Sequence, residues 1–180
     1  MPVSTIRPDS DAELSSLVNS GGGAAYADID DPVGSPDSQA VRNVAGTSGY
    51  GYFGLSALPS FVTVDSVTVR ASVSSINYTT DLTALNVRLF KSDRTTPLSD
   101  QSEIATEGSS GEVSVALTGL ASNTDNAAWG GATLYIEWNY TDITADGGEL
   151  HIEAIQVEAG LTPPAAPGPS KASLALGLGL

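Results

Sequence analysis

No cysteine occurs in this 180-residue chain, histidine and methionine occur once each, and lysine and arginine together number 7. Without cysteine there is neither a disulfide framework nor a thiolate metal site, and redox chemistry is silent on compartment. The lone imidazole, His151, lacks the setting of a nucleophile–base pair, since no Gly-x-Ser-x-Gly turn is present. Basic residues are outweighed by 21 acidic ones, for a formal net charge of −14. That balance opposes duplex nucleic acid, whose phosphates must be neutralised by Lys and Arg, and it opposes anionic lipid. Two readings remain: an ordinary surface kept apart from its neighbours by self-repulsion, or a halophilic one, because high salt shortens the reach of that repulsion to a few ångströms. The opening Met1-Pro2-Val3-Ser4-Thr5 has neither the basic nor the apolar region of a cleaved leader. No run approaches the roughly twenty apolar residues that span a bilayer, so no membrane partner is expected.

What the chain does have is alternation. Val62 to Val73 is rich in β-branched residues, with a phase shift near Asp65-Ser66 that predicts a strand start or a bulge. Leu82 to Lys91, Glu112 to Leu117, Thr133 to Tyr140 and Glu149 to Glu158 read as further strands. In the last two, Leu134, Ile136 and Trp138 share a core face opposite Tyr135, Glu137 and Asn139. Likewise Leu150, Ile152 and Ala154 alternate with His151, Glu153 and Ile155. Turn residues cluster at Ser92 to Pro97, Gly108 to Gly111, Ala121 to Asn126 and Ala145 to Gly148. Asp11 to Val18 reads as a helical turn or an early strand. Short strands are expected near Ala24 to Ala27, Ala40 to Val44 and Gly49 to Leu55, and no interior helix is expected. The predicted fold is all-β: an antiparallel two-sheet sandwich, jelly-roll-like, of about seven to ten strands over residues 1–160, then a Pro-rich tail over 161–180.

In that tail Pro163, Pro164, Pro167 and Pro169 make a stiff stalk before Leu174, Leu176, Leu178 and Leu180. A period of two places these leucines on one face of an extended strand, suited to pairing with a neighbouring chain or with the protein's own sheet. They are therefore the candidate partner-binding residues.

Thr5-Ile6-Arg7-Pro8-Asp9, a glycine-rich turn, then Tyr26-Ala27-Asp28-Ile29-Asp30-Asp31 form the opening of the chain. Leu58-Pro59-Ser60, Val67-Thr68-Val69-Arg70-Ala71, Leu85-Asn86-Val87-Arg88-Leu89 and Ile152 to Glu158 follow. In this order the chain resembles β-sandwich structural proteins of tailed viruses, over roughly residues 3–165. The resemblance implies a virion component: a capsid decoration, turret or tail-associated protein of a bacteriophage or haloarchaeal virus, assembled in the host cytoplasm. Its partners would be other virion subunits, the major capsid protein and copies of itself. The resemblance transfers no functional residue, and no motif marks an enzyme.

The alternative function is a carbohydrate-binding module for host recognition. Tyr50 and Tyr52, spaced by glycines in Gly49-Tyr50-Gly51-Tyr52-Phe53-Gly54, combine an apolar ring with a polar tip and suit stacking on sugars, as does Trp129 beside Gly130-Gly131. The ordinary role for the tyrosines is cross-strand packing, and Trp138 reads as core. Asp28, Asp30 and Asp31, with Asp9 or Asp11, offer hard oxygen ligands for a structural calcium or sodium; a solvated acidic turn is the plainer reading, and no other cofactor is implied. Asp142 to Glu149 is a weaker acidic loop. Glu137, Glu149 and Glu153 would serve a glycosidase only if they faced one another. Asn77-Tyr78-Thr79 and Asn139-Tyr140-Thr141 match the N-glycosylation pattern, without an expectation of attachment.

Overall fold

The structure is a computed structural model that describes residues 2–44, 47–76, 82–106, 108–140 and 149–166. Two antiparallel sheets face each other as a β-sandwich, as the alternation predicted. The first contains β1 (Val3–Ile6), β3 (Leu17–Asn19), β4 (Val41–Asn43), β6 (Thr63–Ile76), β9 (Gly111–Ala116) and β11 (Glu149–Thr162). The second contains β2 (Pro8–Ser15), β5 (Gly49–Leu55), β7 (Leu82–Phe90), β8 (Ser102–Ala105) and β10 (Thr133–Tyr140), in the order β2-β5-β10-β7-β8.

β11 is the spine of the first sheet. One edge pairs with β6 along its length, while the other pairs first with β4 and then with β1. In the gap between those two partners the Ile29 carbonyl accepts from the Ile155 amide at 2.9 Å, so the exposed stretch of ladder is still satisfied. Alternate residues of both sheets fill the space between them. Phe53, Leu85, Val87, Leu89, Leu134, Ile136 and Trp138 come from the second sheet, and Val67, Val69, Ala71, Ile152, Ile155 and Val157 from the first. Buried Trp138 donates its indole N–H to the Leu150 carbonyl at 3.0 Å, tying the sheets together without an orphaned donor.

Several local expectations are decided between their alternatives, and others are corrected. The phase shift in β6 is a bulge: Ser66 and Val64 pair with consecutive residues of β11, leaving Asp65 unopposed. A second bulge at Glu153 was not foreseen, because Ile152 and Ala154 face consecutive residues of β6. It reverses the alternation, so Ile155, expected on the water side, is fully buried. Of the two readings of Asp11 to Val18, the strand holds: it belongs to β2 and β3, parted by a bend at Ser16. Residues expected as a strand near Ala24 are a 3₁₀ turn, Ala25–Asp28, whose first amides are capped by the Asp11 carboxylate at 2.7 Å. An unexpected short helix, α1 (Asn126–Gly130), packs Ala128 and Trp129 into the core. β11 also runs past the expected boundary at residue 160, since Leu161 is buried. Beyond it Pro163 to Ala166 are exposed, and Leu174, Leu176, Leu178 and Leu180 lie outside the described residues.

Candidate functional site

The two outer faces of the sandwich differ in chemistry. On the first sheet Arg42 pairs with Glu149, which also meets His151 Nε2 at 2.9 Å, and Arg70 bridges Glu112 and Glu158. His151 is thus one partner in a surface ion-pair group on the polar side where the sequence placed it. Glu153 accepts from the Ser72 hydroxyl, while Glu137 projects from the other sheet. Glu137 therefore stands on the opposite side of the molecule from Glu149 and Glu153, which share the outer face of β11.

The second sheet presents aromatic rings instead. β5 alternates strictly: Gly49, Gly51, Phe53 and Leu55 turn inward, and Tyr50 and Tyr52 turn outward. Antiparallel register then sets Tyr135 of β10 opposite Tyr52, Arg88 of β7 opposite Tyr135, and Glu13 of β2 on the far side of Tyr52. Along the neighbouring row lie Ser15, Tyr50, Glu137 and Asn86. Residues remote in sequence meet because a period of two sends them all to one face.

The rings touch edge to face or tilted. Tyr52 and Tyr135 have centroids 4.8 Å apart at 46°, Tyr50 stands 5.9 Å from Tyr52 at 81°, and Phe90 lies 5.7 Å from Tyr52 and 5.8 Å from Tyr135. No two are coplanar, so they form a cradle rather than a flat bench. Arg88 covers the outer side of Phe90 at 5.2 Å and donates from Nε to the Ser99 carbonyl at 2.9 Å. Glu13, Tyr50, Tyr52, Asp93, Arg94, Thr95 and Tyr135 line an open cleft of about 460 Å³ over these rings.

Polar groups around the cleft are held in place. Glu13 accepts from the Tyr50 hydroxyl at 3.0 Å and from Arg94 at 3.2 Å. Arg94 also reaches the Ala12 carbonyl at 2.9 Å. Ala12 is the extra residue where β2 slips register against β5, so the bulge supplies the acceptor that anchors the arginine. Asp93 folds the turn under Arg94 by accepting from the Thr95 and Thr96 amides and the Thr96 hydroxyl, which lowers its pKa to about 2, the Thr96 bonds contributing most. Glu137 accepts from Gln101 at 2.9 Å and from Asn139 at 3.3 Å. Burial, reinforced by Glu137, pushes the Tyr135 hydroxyl well above the ordinary tyrosine range, and burial with Glu13 raises Tyr52. Tyr50 is raised chiefly by its hydrogen bond to Glu13. All three hydroxyls are neutral near pH 7 and able to donate or accept.

Tyr50 and Tyr52 are therefore together at a surface cleft, but Trp129 is not. It lies in α1, 1% exposed, with its indole N–H donating to the Ala121 and Ser122 carbonyls, so it cannot offer a ring to a ligand. The missed signal was Asp125, whose carboxylate caps Ala127 and Ala128 and starts a helical turn that carries the tryptophan inward. Of the acidic trio, Asp28 is buried and accepts from the Gly21 amide, and Asp31 accepts from the Asp37 amide. Among the described residues no three His, Asp or Glu side chains gather as a metal site. Residues 142–148 and the Asn77-Tyr78-Thr79 motif lie outside the described residues, while Asn139 stands on the tyrosine face.

No protein-family profile matches the chain, and no curated protein sequence matches it. Among solved structures it is similar to the module TmCBM61 in complex with β-1,4-galactotriose, at 10% identity over 87% of both chains and a TM-score of 0.38. It is also similar to the CBM22-1–GH10 modules of Clostridium thermocellum xylanase 10B complexed with xylohexaose, at 9% identity over 89% of this chain and 30% of that one, with a TM-score of 0.39. Both superpositions are loose and assign no ligand to this chain.

Proposed function

We propose that the protein binds carbohydrate through the outward face of its second sheet. One observation carries this reading: Tyr50, Tyr52 and Tyr135 meet on an open cleft rimmed by fixed hydrogen-bonding groups. Sugar rings present apolar C–H faces and polar edges, and a tyrosine matches both with its ring and its hydroxyl. The cleft falls within the size range of small-ligand sites, and its donors and acceptors are already oriented, which lowers the cost of ordering them on binding. The role is recognition, with no catalytic step assigned.

Glycan-array screening followed by calorimetry tests it. Tyr52→Ala and Tyr135→Ala are expected to weaken binding at least tenfold, about 1.4 kcal/mol, with the strand signature in circular dichroism unchanged. Wild-type affinity in both variants, or no glycan bound at all, rejects the reading.

The virion reading is a second proposal, supported by the leucine spacing of the tail, and is compatible with a sugar-binding face on a particle surface. A chain ending at Ala166 is expected to lose occupancy in assembled particles; undiminished incorporation rejects tail anchoring.

A further inference from the structure

We infer that the tyrosine cleft takes uncharged sugar residues and discriminates against uronic and sialic acids; this rests on the carbohydrate-binding reading above. The argument is a charge inventory of the cleft. Glu13, Asp93 and Arg94 line the cleft, and Arg88 and Glu137 adjoin it, opposite Tyr135 and Tyr50 in the strand register. Each is already engaged. Arg94 is matched by Glu13 and the Ala12 carbonyl, and Arg88 lies on Phe90 and donates to Ser99. Glu137 holds two side-chain amides, and the third carboxylate of the rim, Asp93, is turned into its own loop. A ligand carboxylate entering the cleft would find no guanidinium without a competing acceptor, and would lie beside Glu13 and Glu137.

Engaged charges still recognise a neutral sugar. Carboxylate oxygens accept from hydroxyls with the strength of a charge-assisted bond, and the tyrosine hydroxyls can donate or accept. Arg88 and Arg94, two of only 7 basic residues, offset two of the three carboxylates Glu13, Glu137 and Asp93 here. Specificity then arises from the unpaired charge that an acidic sugar would bring.

The test is an array of neutral hexose and pentose oligosaccharides beside counterparts bearing glucuronate, galacturonate or sialic acid, read with the full chain. Neutral glycans are expected to bind, and the acidic counterparts at least tenfold more weakly. The gap should persist in about 1 M NaCl, where the Debye length of about 3 Å removes repulsion by the molecule as a whole. Glu13→Gln, which leaves Arg94 unmatched, should raise the acidic-to-neutral affinity ratio several-fold. Equal or preferred binding of acidic sugars, a gap that vanishes in high salt, or a ratio unmoved by Glu13→Gln overturns the inference while leaving carbohydrate binding intact. Absence of any glycan ligand overturns both.

Discussion

Tyr135 concentrates the chemistry of the site in one side chain. Its phenol is packed among three other rings and faces Glu137, so removing its proton would place a second negative charge in a partly dry setting. The folded protein therefore holds that proton past pH 10, whereas the unfolded chain releases it near pH 10. The resulting stabilisation is complete below pH 10 and is lost as pH rises from there toward the folded pKa. Phenolate absorbance of the native protein should accordingly lag behind that of the denatured chain. The thermal midpoint should fall above pH 10, less steeply in Tyr135→Phe; simultaneous titration of every tyrosine in both states would contradict the cluster. Legibility at this scale was uneven. Tyr135 was readable as an outward residue from its alternation with Leu134 and Ile136, but its neighbours were not, because they come from β5 and β7. The tryptophans show the same divide: Trp138 sits in a long alternating strand and declared itself core, whereas Trp129 looked exposed beside two glycines until its capped helical turn was seen.

β5 shows why an element so rich in glycine can carry a binding face. Its inward positions lie against Phe53 and Leu17 and leave no space: a Cβ at Gly51 would stand 2.6 Å from Phe53 Cε2 and 2.9 Å from Leu17 Cδ1. Small residues inward keep the strand close to the core, and the tyrosines occupy the alternate, outward positions. Gly51→Ala should overpack the interior at a cost of about 1–3 kcal/mol. Calorimetry should register this as a midpoint lowered by several degrees, with sugar affinity per folded molecule changing less than in Tyr52→Ala. An unchanged midpoint would mean that the core yields freely there. β11 teaches the opposite lesson about alternation. Its apolar residues fit either phase around Ala154 and Ile155, and only the facing strand reveals that the chain spends one residue, Glu153, on a bulge. Pairing, not composition, settles which neighbour goes inside.

Across the whole molecule, the balance of charge governs stability in salt. Surface ion pairs such as Arg70 with Glu112 and Glu158 contribute about 0–1 kcal/mol each and weaken when screened. Repulsion among an excess of 14 negative charges is screened as well, and it involves many more pairs. Raising NaCl from about 0.1 to 1 M, which shortens the Debye length from about 10 to 3 Å, should therefore raise the thermal midpoint. A falling midpoint would show that attraction outweighs repulsion. The sandwich class was legible because alternation marks strands wherever one face is buried. Strand order was not, because hydrogen-bonded neighbours such as β2 and β5, or β6 and β11, are joined by no short hairpin. The pairing of Val3 with Gly160 carries a consequence for biosynthesis. A nascent polypeptide cannot finish its first sheet until the ribosome has delivered residues 149–162, for until then β1, β4 and β6 lack their common partner. Maturation of this protein is thus a late event, and its half-made forms pass through translation with bare strand edges open to unwanted pairing.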